Sequence, residues 1–169
     1  MEISDKQLED ATEKIILITF HHPPADVGPK HSWKERKEFM LKLVPVLKKF
    51  KNKISSILVG HEHVATFVDF DGIPLFVSPS SVKPRTGKYY NEFIPELGVN
   101  VVSKWVYNDN KNRYWLKTDI DTDNDSLIFN YINIQNNISE CSVLIKANSR
   151  ISSKENRYLL QNNCRENSL

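Results

Sequence analysis

Apolar positions change rhythm partway along this chain, and the change predicts its architecture. The run "IILITF", Ile15–Phe20, is β-branched and aromatic with no polar alternation, which predicts a strand covered on both faces. Pro23 and Pro24 stop it, and "ADVGPKHS" continues as loop. Trp33, Phe39, Met40, Leu43, Leu47 and Phe50 then fall mostly at helical spacing, with Lys and Glu filling the other face. Pro45 is expected to kink this helix or split it in two. "ISSILVG" reads as the next strand. Upstream, Ser4 and Gln7 form a capping-box pattern that opens a short helix through about Glu13.

After Gly60 the helical spacing gives way to strands and turns. "VATFVDF" and "IPLFVS" flank Asp71-Gly72, a strong hairpin signal. "PSSVKPRTGKYYNEFIPELG" reads as a long proline-bearing loop. "VNVVSKWVY", the polar turn "NDNKN" and "RYWLKTDI" predict a second hairpin, and "SLIFNYINI" a further strand. Beyond Asn136 the chain is rich in Asn, Ser and charge, with "CSVLIKA" its only apolar island, so 136–169 is expected to be a flexible tail. No internal repeat is visible. Helix, strand, helix and strand followed by antiparallel hairpins is the order of a layered α/β domain, here spanning 1–135.

Composition narrows the classes of function only a little. A formal net charge of +2 is too small to argue for nucleic acid or membrane, and the run Ile15–Phe20 is far short of a bilayer span. The opening "MEISDKQLED" is polar and acidic, without a signal-peptide pattern, which makes a cytoplasmic location the default expectation. Cys141 and Cys164 lie in polar, Asn-rich surroundings and belong to no C-x-x-C pair, so neither a disulfide framework nor a thiolate metal site is expected.

The chemistry concentrates in the histidines. "HHPP" ends the first predicted strand and "GHEH" the second, with one helix between them. Strands joined by a helical crossover lie parallel, so their carboxyl ends point the same way, where open α/β sheets bind ligands. His21, His61 and His63 can therefore converge on one cation. Imidazole suits Zn, Mn or Fe, and an H-x-H in extended chain turns both rings to one side. Gly60 removes a side chain where backbone passes close to this site. His22 should face away from His21 and serve structure, and His31 reads as an ordinary polar residue without a ligand role.

"ILITFHHPP", a helix, "ILVGHEH" and "DGIPLFVSPSSV" together resemble the C-terminal half of the calcineurin-like metallophosphoesterases. They are most similar to the branch that includes bacterial cyclic-nucleotide phosphodiesterases, over about Ser4 to Thr118. The resemblance implies half of a layered αββα sandwich that hydrolyses phosphomonoesters or phosphodiesters. It places His21 and His61 on one divalent ion (Mn, Fe or Zn) and His63 on a second. The D-x-H, G-D-x-x-D and G-N-H motifs of that family do not occur here, and with them go the bridging Asp and the acid/base His. Three neutral imidazoles cannot hold two divalent ions close together. The expectation is therefore the C-terminal portion of such an enzyme, weak or inactive alone. It becomes dinuclear only when a missing N-terminal half or a second chain completes it, and it leaves a strand edge unpaired.

Arg85, in a loop with Lys83 and Lys88, is the candidate for the substrate phosphate. Asp26 and Glu62 read as solvated carboxylates beside the site. The competing reading is a non-catalytic degenerate domain acting as a binding module. Its candidate surface is the basic face Lys34, Arg36, Lys37, Lys42, Lys48, Lys49, Lys51 and Lys53, although Glu35 and Glu38 interrupt it and argue against nucleic acid or membrane as partners.

Overall fold

A computed structural model describes residues 5–27, 33–107, 111–147, 157–161 and 164. Ser4, His31 and the start of the "NDNKN" turn lie outside these residues. The fold is mixed α/β with two sheets. Strand β1 (Leu17–Phe20) runs parallel to β2 (Ser56–Val59), with Ile18 opposite Ile57 and Phe20 opposite Val59. The connection between them carries a short 3-10 turn and helix α2 (Lys37–Lys49), as the crossover rule requires. Strand β4 (Ile73–Val77) lies parallel to β2 on its other side, and β3 (Thr66–Phe70) returns antiparallel to β4. Asp71 and Gly72 both take positive φ (49° and 85°), as the two central residues of a tight hairpin must. Strands β5 (Asn91–Ile94) and β6 (Val99–Val106) complete a six-stranded sheet in the order β1-β2-β4-β3-β6-β5.

A second, four-stranded antiparallel sheet holds β7 (Tyr114–Asp121), β8 (Ser126–Asn133), β9 (Ser139–Lys146) and β10 (Tyr158–Gln161), in the order β10-β9-β8-β7. The six-stranded sheet is thus the middle layer. One face packs Ile57, Val59, Val68, Leu75 and Val77 against Met40, Val44 and Leu47 of α2. The other packs Phe67 and Phe76 against Phe129, Tyr131 and Val143 of the second sheet, with Phe76 stacked on Phe129 at 4.0 Å between centroids.

Several expectations are corrected here. Of the two outcomes expected at Pro45, the split does not occur: α2 runs through it to Lys49. Leu41, whose carbonyl loses its helical donor to Pro45, is 43% exposed, so water can replace that bond. The loop before β6 contains strand β5. The predicted second hairpin does not form: β6 pairs with β3 and β5, whereas β7 pairs with β8 in the other sheet. The hairpin lies one strand further on. There the Asp121 carboxylate accepts the Asp123 and Asn124 N–H groups, and Asp125 takes φ 49°.

The largest correction concerns 136–169, where the described residues form β9 and β10 instead of a flexible tail. Cys141, Val143 and Ile145 alternate into the core, and between them Ser142 is also buried and Leu144 half-buried, so a polar composition hides a largely buried strand. The Asn-rich stretch before it is turn chemistry, with Asn137 at φ 58° donating its N–H to the Asn133 carbonyl. Cys141 and Cys164 form a disulfide with Cα atoms 4.6 Å apart. Disulfides persist in oxidising compartments and are rare in cytosolic proteins, which sets this one against the cytoplasmic expectation. Arg157 donates from Nη1 to the carbonyls of Lys51 (2.8 Å) and Gly72 (3.1 Å), and from Nη2 to that of Ile54 (2.6 Å). Burial lowers the pKa of this guanidinium and the nearby Asp69 charge opposes the shift. Tyr158 adds a hydroxyl hydrogen bond to Asp69 at 3.2 Å.

Helix α1 (Asp5–Asp10) is shorter than its capping box suggests. Its C-terminal carbonyls are met by Lys53, whose ammonium donates to Leu8 (3.0 Å), Glu9 (2.7 Å) and Ala11 (3.3 Å). No helix among the described residues is long and apolar enough to cross a membrane.

Candidate metal centre

The register of β1 on β2 brings His21 alongside Gly60, whose N–H donates to the His21 carbonyl at 2.9 Å. The ladder therefore continues one step past the strand ends. Beyond it His61 Nδ1 lies 3.1 Å from His21 Nε2, one ring donating to the other according to tautomer. Residues separated by α2 in sequence are thus in contact in space. The ring of His22 joins them, 4.7 Å from His21 and 4.0 Å from His61 between centroids. One nitrogen from each of the three lies within 4.8 Å of the others. Two imidazole nitrogens held at ~2.1 Å by one ion lie roughly 3.0–3.4 Å apart, so the His21–His61 spacing fits a shared divalent cation.

His63 stands outside this group. Its Nδ1 donates to the Lys83 carbonyl at 3.1 Å, leaving Nε2 as the basic nitrogen. The alternation rule fails at both motifs for the same reason: neither is extended. The chain bends at His21 and His22, so neighbouring side chains no longer point to opposite faces. His61 and His63 sit at φ 69° and 62°, in the left-handed region that side-chain-bearing residues rarely occupy. An H-x-H with two such residues does not present both rings to one side. Such strain clusters at functional sites, and here it falls on the residues whose identity suggested chemistry. His22, expected to face away, is the ring brought in.

Gly60 is less demanding than its position suggested. A Cβ built there would meet the His21 ring at 3.5 Å, an ordinary contact, so alanine fits. Gly87 is the stringent glycine: a Cβ there would meet Val106 Cγ1 at 2.3 Å, where the loop from Ser78 crosses back over the sheet.

Glu62 is only 1% exposed, which corrects its reading as a solvated carboxylate, whereas Asp26 is half-buried. Both act on Tyr90, whose pKa is pushed up to about 12, first by burial and then by the charges of Asp26, Glu62 and Glu92. Arg85 is tied to this region through its backbone N–H, which donates to the His63 carbonyl at 3.0 Å. Its Nη1 is buried and makes no hydrogen bond among the described residues. Lys83 and Lys88 are exposed.

Strands β1 and β7 are outermost in their sheets and border a cleft of about 440 Å³. Thr19, Leu58, Leu116 and Thr118 line it, and His21 stands at its end. β1 has apolar cover on both faces, Ile18 on the α2 side and Leu17 against the second sheet, and the cover is interrupted at Thr19, which is exposed beside the cleft.

No protein-family model matches this chain, and no curated protein matches it either. The site therefore rests on its own geometry. Sequence patterns pointed to the pairing of His21 with His61. The burial of Glu62 and the arrival of His22 carried no such signal, apart from the two prolines that force the chain to turn directly after His22.

Proposed function

We propose that this chain is the histidine-bearing portion of a metal-dependent phosphoesterase of the calcineurin-like kind, one part of its layered sandwich, acting on phosphomonoesters or phosphodiesters. The observation that carries the reading is the approach of His21 and His61 to 3.1 Å at the carboxyl ends of two parallel strands joined by a helix. A bound Mn, Fe or Zn would polarise a phosphoryl oxygen and supply the attacking hydroxide.

The chain's own residues hold and orient. His21 and His61 offer neutral nitrogens to the ion. His63, its tautomer fixed by Lys83, offers Nε2 toward a second ion, and the half-buried Arg85, tied by its backbone N–H to the His63 carbonyl, is the residue to meet a phosphate oxygen. The carboxylates a dinuclear centre needs come from a complementary polypeptide. Its natural seat is the flank where β1 and β7 leave both sheet edges open around the cleft.

The binding-module alternative has less support, because much of its basic face is already engaged. Lys48 donates to the Gly98 carbonyl at 2.6 Å, Lys49 and Lys51 pair with Asp5 and Asp71, and Lys53 meets the end of α1.

The test is hydrolysis of an aryl phosphodiester with Mn2+, by the chain alone and with the polypeptide encoded immediately upstream supplied in trans. Near-background turnover by the chain alone, rising on complementation and lost in His61→Ala, supports the reading. Absence of turnover after complementation, or turnover that survives His61→Ala, overturns it.

A further inference from the structure

We infer that His21, His22 and His61 form a single-ion site complete within this chain, with His22 as third ligand and His63 outside it. The proposal rests on the same pairing of His21 with His61 as the phosphoesterase reading and departs from it in giving that ion a third ligand, His22, from this chain, so the two can fail separately.

Three distances carry it. The ring centroids of His21 lie 4.7 Å from His22 and 5.0 Å from His61, and those of His22 and His61 lie 4.0 Å apart. Rings bound through nitrogen at ~2.1 Å to one ion have centroids roughly 4.5–5.2 Å apart for octahedral to tetrahedral angles. Two of the three separations already match, and the third needs only a small opening of the His22–His61 pair. The interplanar angles of 74°, 83° and 59° keep the rings from stacking, as ligands radiating from a common centre must.

The backbone supports the same assignment. The left-handed conformation at His61 turns its ring back toward the HHPP bend. His63 is turned away in its own left-handed step and committed through Nδ1 to Lys83. Three neutral imidazoles without a thiolate favour a borderline divalent ion such as Zn2+ or Co2+. One protein ligand short of a tetrahedron, the site keeps a position open, and the exposed His21 gives solvent access to it.

The experiment is Co2+ titration of the full, disulfide-bonded chain, read by the intense visible bands of four-coordinate Co2+ and by bound Zn2+ per chain after dialysis. One ion per chain is expected. Its affinity should fall at least about tenfold in each of His21→Ala, His22→Ala and His61→Ala, and stay within about twofold in His63→Ala. His22→Asn serves as a second variant, with circular dichroism and thermal midpoint confirming that each variant folds. Wild-type affinity in both folded His22 variants overturns the assignment, as does loss of binding in His63→Ala. Complemented phosphodiester hydrolysis in the same variants separates the two readings. Activity kept in His22→Ala but lost in His63→Ala favours the phosphoesterase ligand set and sinks this one. Metal binding lost in His22→Ala without any phosphodiesterase activity leaves this site standing and removes the enzyme.

Discussion

The carboxyl ends of β1 and β2 and the sheet formed by β7–β10 are opposite kinds of structure. At the strand ends the backbone is bent and locally strained, histidine rings crowd one another, and a buried carboxylate lies nearby. In the second sheet, register is nearly continuous and aromatic rings stack into the middle layer. Its last segment is stitched to the rest through Arg157 and the Cys141–Cys164 disulfide. One region gives up local comfort to gather chemical groups, and the other is built to resist change. Stability and site chemistry should therefore respond to different substitutions.

The sharpest test is Phe129→Ala. Phe129 is fully buried and stacked on Phe76, so its loss should cost about 3–5 kcal/mol in denaturant unfolding. If the site's ion affinity falls in parallel under folding conditions, the separation of the two regions is wrong. Cys164→Ser comes next. Opening a link between residues 23 positions apart should cost about 3 kcal/mol and bring early hydrogen exchange to β10, with little change at β1 and β2.

His61→Gly should act in the opposite direction. Removing a side chain held at φ 69° is expected to leave the metal-free protein as stable, or more stable by up to about 1 kcal/mol, while abolishing ion binding. A clear loss of metal-free stability would mean that this end is structural after all. The smallest effect is at high pH. Tyr90 has its folded pKa raised from 10.0 to about 12, so the native state holds that proton more tightly than the unfolded chain. Its contribution is intact below pH 10 and is lost as pH rises towards 12. Burial shifts Tyr114 and Tyr131 in the same direction, so Tyr90→Phe should remove only part of the alkaline fall in thermal midpoint.

What was legible in the sequence follows from the range of each signal. The β1–α2–β2 unit and the Asp71-Gly72 hairpin were readable because periodicity and turn chemistry are local. The pairing of β7 with β8, and not with β6, was not, because partner choice depends on which sheet buries Tyr114 and Phe129. Composition misled at β9, where Asn and Ser hid the alternation of Cys141, Val143 and Ile145. At the site, topology placed His21 beside His61. The backbone bends that admit His22 and turn His63 aside have no periodic signature.

The link between Cys141 and Cys164 has a topological consequence. It spans the whole stretch from Lys146 to Arg157, so one peptide-bond cut anywhere in that stretch leaves the two products covalently joined. Such a nicked protein would migrate as one species without reductant and as two with it, and the short piece bearing Arg157 could not diffuse away from the groups it binds.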